Sequence, residues 1–289
     1  MIKGLMTRNF DKDYRANEFG LLINANVVRL EWKRLEPEQG VFSGAQLALV
    51  EEASRLGPVR LRINGGTEAP DWVVKDNNPF PYHEGQAGIT HDCPQWWNDS
   101  YIEAWEAMML RVYNEVGMFV TDVAQSGGGT RYSEPFIRSV WHNKEVFNQI
   151  GFDFGVDEKA LNRFQALMTR IWRHKQLSMS VLAWQYMEGG KPKASMDRSI
   201  AAVMRWNPDS IGAHDLREVP GAARLARWDS MYATGIPMYF QTASPQRIGD
   251  WEKALSTGLL YNAQNIELPW NFTTYDYQTL AKYAWAYKG

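Results

Sequence analysis

The chain is predicted to be an α/β protein, a single closed (β/α)8 (TIM) barrel over residues 1–289, on three observations. Eight short apolar runs each lead into a stretch of helical period, spaced evenly from end to end. The runs are continuously apolar, as parallel strands buried on both faces are, instead of alternating. No Gly-x-Gly-x-x-Gly loop follows the first run, which argues against an open doubly wound sheet. The length also suits one barrel, typically about 250 residues.

The elements follow in order. Lys3 to Asn9 is the first strand, with a helix over Asp11 to Asn24. Val27 to Leu35 is the second, with a helix over Ala45 to Leu56. Val59 to Asn64 is the third; its helix starts near Asp99, a favourable N-cap, and keeps Ile102, Trp105, Met109, Val112 and Val116 on one face. Met118 to Gln125 is the fourth, its helix opening at Asp157 with Leu161, Phe164, Met168 and Ile171 in register. Leu177 to Tyr186 precedes a helix over Asp197 to Trp206, and Ser210 to His214 precedes one over Gly221 to Thr234. Pro237 to Thr242 precedes Asp250 to Leu260, and Asn265 to Leu268 precedes a last helix through Leu280 and Tyr283. Long loops follow strands three and four, Gly65 to Asn98 and Gly127 to Val156, on the side where a barrel builds its site.

The net charge of −2 comes without a basic patch, so nucleic acid is not an expected partner. No run approaches the ~20 apolar residues of a membrane span, and the start of the chain lacks the apolar core of a signal peptide. The compartment stays open: cytoplasm, or export with a cell-surface or virion assembly by another route. The single Cys93 excludes an intramolecular disulfide. His83, His91, His142 and His174 are scattered and form no zinc pattern with Cys93, so no metal or cofactor is expected. No Gly-x-Ser-x-Gly elbow supports acyl transfer.

Aromatic residues are abundant, with 13 Trp, 13 Tyr and 12 Phe. Trp105, Trp172, Trp206 and Trp228 read as packing residues, whereas Trp32, Trp72, Trp96, Trp97, Trp184, Tyr186, Tyr239 and Trp270 sit at strand ends or in long loops. Aromatic faces stack on the C–H faces of sugars and leave the hydroxyls free, so part of this set is a candidate saccharide platform, with Trp184 and Trp270 foremost.

Charged residues inside buried strands need a partner or a use. In strand two, Arg29, Glu31 and Lys33 share one face, and in strand three Arg62 and Asn64 do. Glu68 follows strand three and reads as a solvated loop charge. Glu134 lies beyond three glycines that follow strand four, among aromatic residues; partial desolvation there would raise its pKa, as a general acid needs, while pairing with Arg131 or Arg138 is the structural alternative. His214 closes strand six and Gln241 strand seven. In Ile266-Glu267-Leu268 the flanks must face the helices, so Glu267 points into the barrel and requires a cationic partner, Arg29 or Arg62 first.

Leu35-Glu36-Pro37-x-x-Gly40 after strand two and Ala69-Pro70-x-Trp72 after strand three resemble the retaining glycoside hydrolases on (β/α)8 barrels, the group of cellulases, xylanases and β-galactosidases. Gln241-Thr242, Gly249-Asp250-Trp251 and Ile266-Glu267-Leu268 resemble bacterial and phage-borne barrels related to them. The resemblance implies a carbohydrate substrate and a pair of catalytic carboxylates. The chain departs from it twice. Strand four ends in Gln125-Ser126-Gly127 where the group has Asn-Glu, and Gln241 stands where the group has its nucleophile glutamate. The pair is therefore expected at Glu134 and Glu267, with Arg29, Glu31, Arg62, Asn64, Trp72, Trp184, His214, Gln241 and Trp270 binding the sugar. The alternative is a non-catalytic carbohydrate-binding or structural barrel.

Overall fold

The computed structural model describes residues 1–8, 18–125 and 134–288. The strands, in chain order, are β1 (Gly4–Thr7), β2 (Ile23–Glu31), β3 (Val59–Asn64), β4 (Phe80–Glu84), β5 (Ile89–Cys93), β6 (Asp122–Gln125), β7 (Gln176–Ser180), β8 (Trp184–Glu188), β9 (Lys191–Ser195), β10 (Ser210–Leu216), β11 (Met238–Thr242) and β12 (Asn265–Leu268). Eight of them close into a barrel in the order β1-β12-β11-β10-β7-β6-β3-β2, every pair parallel. β4–β5 and β8–β9 are separate antiparallel hairpins. The predicted (β/α)8 barrel is thus the fold, with strands three and eight at their expected bounds.

Helix starts follow local chemistry. Ser43, Asp153, Ser195, Asp250 and Asp276 each accept the backbone N–H three residues on, satisfying a donor the first turn leaves open. One helix begins at Asp99 as expected but with a different cap, and one expected start shifts. The cap before the Asp99–Val116 helix is Asn98, and Asp99 pairs instead with Arg163. The helix expected to open at Asp157 begins at Phe154, which leaves Asp157 free to turn into the core.

Three further expectations are corrected. β2 runs from Ile23 to Glu31, and Trp32–Leu35 is one helical turn, so Lys33 leaves the strand and pairs with Glu68 at 2.7 Å. Glu68 is consequently buried, not solvated. The first expected helix ends too late, since Ile23 and Asn24 belong to β2; its residues 11–17 lie outside the described residues. The fifth run is two strands: β7 stops at Ser180, and Trp184 opens the β8–β9 hairpin, whose turn places Gly189 and Gly190 at φ 58° and 72°, as a tight hairpin turn demands.

The main apolar core lies between strands and helices, while a small second cluster, Ile2, Met6, Ala25 and Val27, fills one side of the barrel. The rest of the lower interior is polar. Arg60 donates to Asp122 at 3.1 and 3.2 Å, to Glu267 at 2.9 Å and to Asn265 at 3.3 Å, with its guanidinium 4.0 Å above the Tyr239 ring. Ser178 donates to Asp122 at 2.6 Å, and the Ser180 and Tyr239 hydroxyls lie 2.9 Å apart. Small residues make this room: a Cβ on Gly212 would lie 2.1 Å from the Tyr239 ring. Asn265 ties β12 to the start of the chain by donating to the Ile2 carbonyl at 3.0 Å.

Candidate functional site: an arginine-rich cavity at the barrel mouth

Above the polar floor, the C-terminal ends of the strands open into a cavity of about 740 Å³, where a (β/α)8 barrel carries its site. β3 presents Arg62 and Asn64, β10 presents His214, and β11 presents Gln241 and Thr242. Pro269 and Trp270 form the rim after β12, Trp270 being 63% exposed. Glu134 and Arg138 enter from the long segment after β6, and Gln86 from the β4–β5 turn. Beyond Arg138 and Leu182 the cavity continues into a second hollow of about 470 Å³, beside Trp141, 49% exposed, and His142.

Glu134 is buried, bound by the Arg138 guanidinium, with His214 Nε2 at 3.4 Å. Burial alone would raise its pKa, but His214 and Arg138 bring it below the ordinary carboxylate value. Burial pushes His214 itself down to about 4, so its ring is neutral at pH 7 and Arg138 is the cation that keeps Glu134 ionised. The raised pKa expected of a general acid at Glu134 is therefore not found; the loop supplies an arginine along with the apolar surroundings. Arg138 is the structural partner anticipated from sequence, and Arg131 lies outside the described residues.

Glu267 is fully buried below the cavity and does not line it. It accepts from Arg60 and Arg62, the second of the two partners expected for it; the first, Arg29, is not bound to it. Desolvation would raise its pKa, but Arg62, Arg60 and Arg8 together hold it at about 2. Arg8 donates to the Leu268 carbonyl at 3.0 Å and to Thr242 at 3.2 Å, closing the floor.

Of the residues expected to bind sugar, Arg29, Arg62, Asn64, His214, Gln241 and Trp270 line the cavity. Three do not. Glu31 sits at the rim, 2.9 Å from Arg34 and 3.8 Å from Arg29. Trp72 packs edge-on against Trp32 and donates to the Glu36 carbonyl at 3.4 Å. Trp184 is fully buried, because the strand carrying it belongs to the hairpin; its indole donates to Asp157 at 2.7 Å. Burial raises the Asp157 pKa to about 7, with the indoles of Trp184 and Trp96 opposing it.

Asp215, which with His214 closes strand six in the sequence, lines the cavity at φ 73°, where the β10–β11 register shifts, a strained position for a residue with a side chain; the arginines gathered around it are not evident from strand periodicity. Arg217, Arg224 and Arg247 converge on it. Arg224 and Arg227 share one face of the helix Ala222–Tyr232, three residues apart just after strand six, a spacing that could have exposed them. Among the described residues no group of three or more His, Cys, Asp or Glu could hold a metal ion, and no helix is long and apolar enough to cross a membrane.

No family profile and no curated protein sequence matches the chain. Solved structures do. The catalytic domain of β-amylase from Paenibacillus polymyxa aligns with TM-score 0.58 at 11% identity over 93% of this chain and 92% of its own. A GH5-type protein from Bifidobacterium longum, in complex with Manβ1-4GlcNAc, aligns with TM-score 0.56 at 8% identity over 99% and 79%. A β-glucosidase aligns with TM-score 0.52 at 13% identity over 90% and 78%. The chain therefore shares the (β/α)8 barrel fold of these proteins.

Proposed function

We propose that the protein is a carbohydrate-active barrel whose mouth cavity binds an oligosaccharide. The observation that carries this reading is the cavity itself, in which a buried carboxylate, Glu134, shares one wall-to-rim space with an exposed tryptophan, Trp270. The adjoining hollow beside Trp141 supports a ligand longer than one sugar. The likeness to β-amylase and β-glucosidase folds and to a disaccharide-bound barrel is consistent with it.

Hydrolysis is the chemistry first in line, with Glu134 as the carboxylate that meets the sugar. Held ionised by Arg138, it suits the nucleophile or general base and not the proton donor. Glu267 acts in this reading through Arg62, which it orients, since it lies beneath the cavity lining. A second reading, binding without turnover, draws on one observation: the cavity-lining carboxylates among the described residues, Glu134 and Asp215, are both held ionised by arginine, so neither is poised to donate a proton.

One experiment separates the readings. Wild type and Glu134→Gln are titrated calorimetrically with oligosaccharides, then incubated with them while reducing ends are counted. Release by wild type that falls at least a hundredfold in Glu134→Gln supports hydrolysis. Binding without release supports the second reading. If no saccharide binds, the carbohydrate assignment is wrong.

A further inference from the structure

We propose that the saccharide this cavity takes is anionic, carrying a carboxylate, sulfate or phosphate group that seats against Arg227 and its neighbours; the inference rests on the carbohydrate reading above. A neutral sugar needs donors and acceptors but no excess charge. Among the described residues this cavity is lined by seven arginines against two carboxylates, in a chain whose overall charge is −2. The positive charge is therefore concentrated here.

Internal pairing accounts for only part of it. Arg138 serves Glu134, Arg62 serves Glu267 beneath, and Arg224 and Arg247 converge on Asp215. Arg227 lines the cavity, half-buried, and makes no hydrogen bond or ion pair among the described residues. Burial and the like charges of Arg224 and Arg138 depress its pKa, while Asp215 and Glu134 compensate more weakly. A guanidinium placed among guanidiniums is costly unless an anion joins them. Arg62 is an independent sign: it is almost fully buried, lines the cavity, and its Nε–H has no partner among the described residues. Beside it the buried Gln241 Oε1 also lacks one, which gives the floor a donor and an acceptor for the rest of the sugar. Guanidinium forks match carboxylate, sulfate and phosphate oxygens alike, so arginine fits this role better than lysine would.

The test compares matched neutral and anionic oligosaccharides, a cello-oligosaccharide against uronate, sulfated and phosphorylated oligomers, by calorimetric titration of wild type and Arg227→Gln in low and high salt. The expected result is at least tenfold tighter binding of one anionic series, lost selectively in Arg227→Gln and weakened by salt. The three anionic arms distinguish the group recognised. Equal binding of neutral and anionic oligomers overturns this inference and leaves the carbohydrate reading standing. Inorganic phosphate or a mononucleotide binding as tightly as every oligosaccharide overturns both. So does binding of none of them by a wild-type protein whose fold is verified by circular dichroism.

Discussion

The floor of the barrel and its mouth are built from the same groups, arginine set against carboxylate, and differ in whether the set closes on itself. In the floor, Arg60 and Arg62 meet Asp122 and Glu267 with serine, asparagine and tyrosine adding further bonds, and the cluster is shielded from solvent, with the Arg62 Nε–H and one Glu267 oxygen left without a partner among the described residues. At the mouth, Glu134 and Asp215 face more guanidiniums than they can satisfy, and the cluster is open. A closed set of charges specifies an interior; an open set with excess of one sign awaits a partner. Asp157 supplies a third case, a buried carboxylate with neutral indole donors and, among the described residues, no cation.

The largest effect is expected in the floor. Glu267→Gln leaves Arg60 and Arg62 buried without that charge and should destabilise the fold by about 3–5 kcal/mol in a chemical denaturation. Unchanged stability with loss of ligand binding would erase the distinction between floor and mouth. The next effect is pH-dependent. Asp157 has its folded pKa raised to about 7, above the unfolded value, so the folded state holds the extra proton and stability falls as pH rises from about 4 through 7. Wild type should lose stability relative to Asp157→Asn between pH 5 and 8, with a ceiling of about 3 kcal/mol from the linkage over that window. A difference that stays flat across that window would mean Asp157 is ionised throughout. The smallest stability effect belongs to the rim: Trp270→Ala should alter stability by no more than about 0.5 kcal/mol. The same variant should weaken saccharide binding roughly three- to tenfold, read by titration. A large loss of stability would make Trp270 a packing residue.

Closure was readable because eight short strand-like runs each lead into a helical stretch, and β3 and β12 are bounded sharply by Pro58 and Gly65 and by Gln264 and Pro269; the runs are less continuously apolar than expected, since β3, β7 and β12 carry Arg60, Arg62, Ser178, Ser180, Asn265 and Glu267. Frames failed where apolar residues ran past the strand: Trp32 and Leu35 continue the pattern of β2 but pack from a helical turn. Trp184 was misplaced for the same reason, although Gly189-Gly190 signalled a hairpin. At the site, alternation along β3, β10, β11 and β12 brought Arg62, His214, Gln241 and Glu267 inward correctly. It could not separate floor from mouth, because depth along a barrel depends on how neighbouring strands are staggered. Nor could it collect Arg138, Arg224 and Arg227, which reach the cavity from a loop and a helix.

The polar floor also imposes an order of assembly. Arg62 lies on the third barrel strand, and its anion, Glu267, arrives 205 residues later on the last. Arg8 reaches its carbonyl partner at Leu268 across 260 residues. Arg60 meets Asp122 early, but during synthesis Arg8 and Arg62 are without the carboxylate they face in the finished barrel, and they are unsuited to burial until it arrives. That charge discourages premature collapse of a partial sheet, keeps its unpaired edges hydrated, and delays closure of the barrel until β12 enters between β1 and β11. Closure then becomes a late, cooperative and topologically distant event, as expected of a fold dominated by non-local pairing.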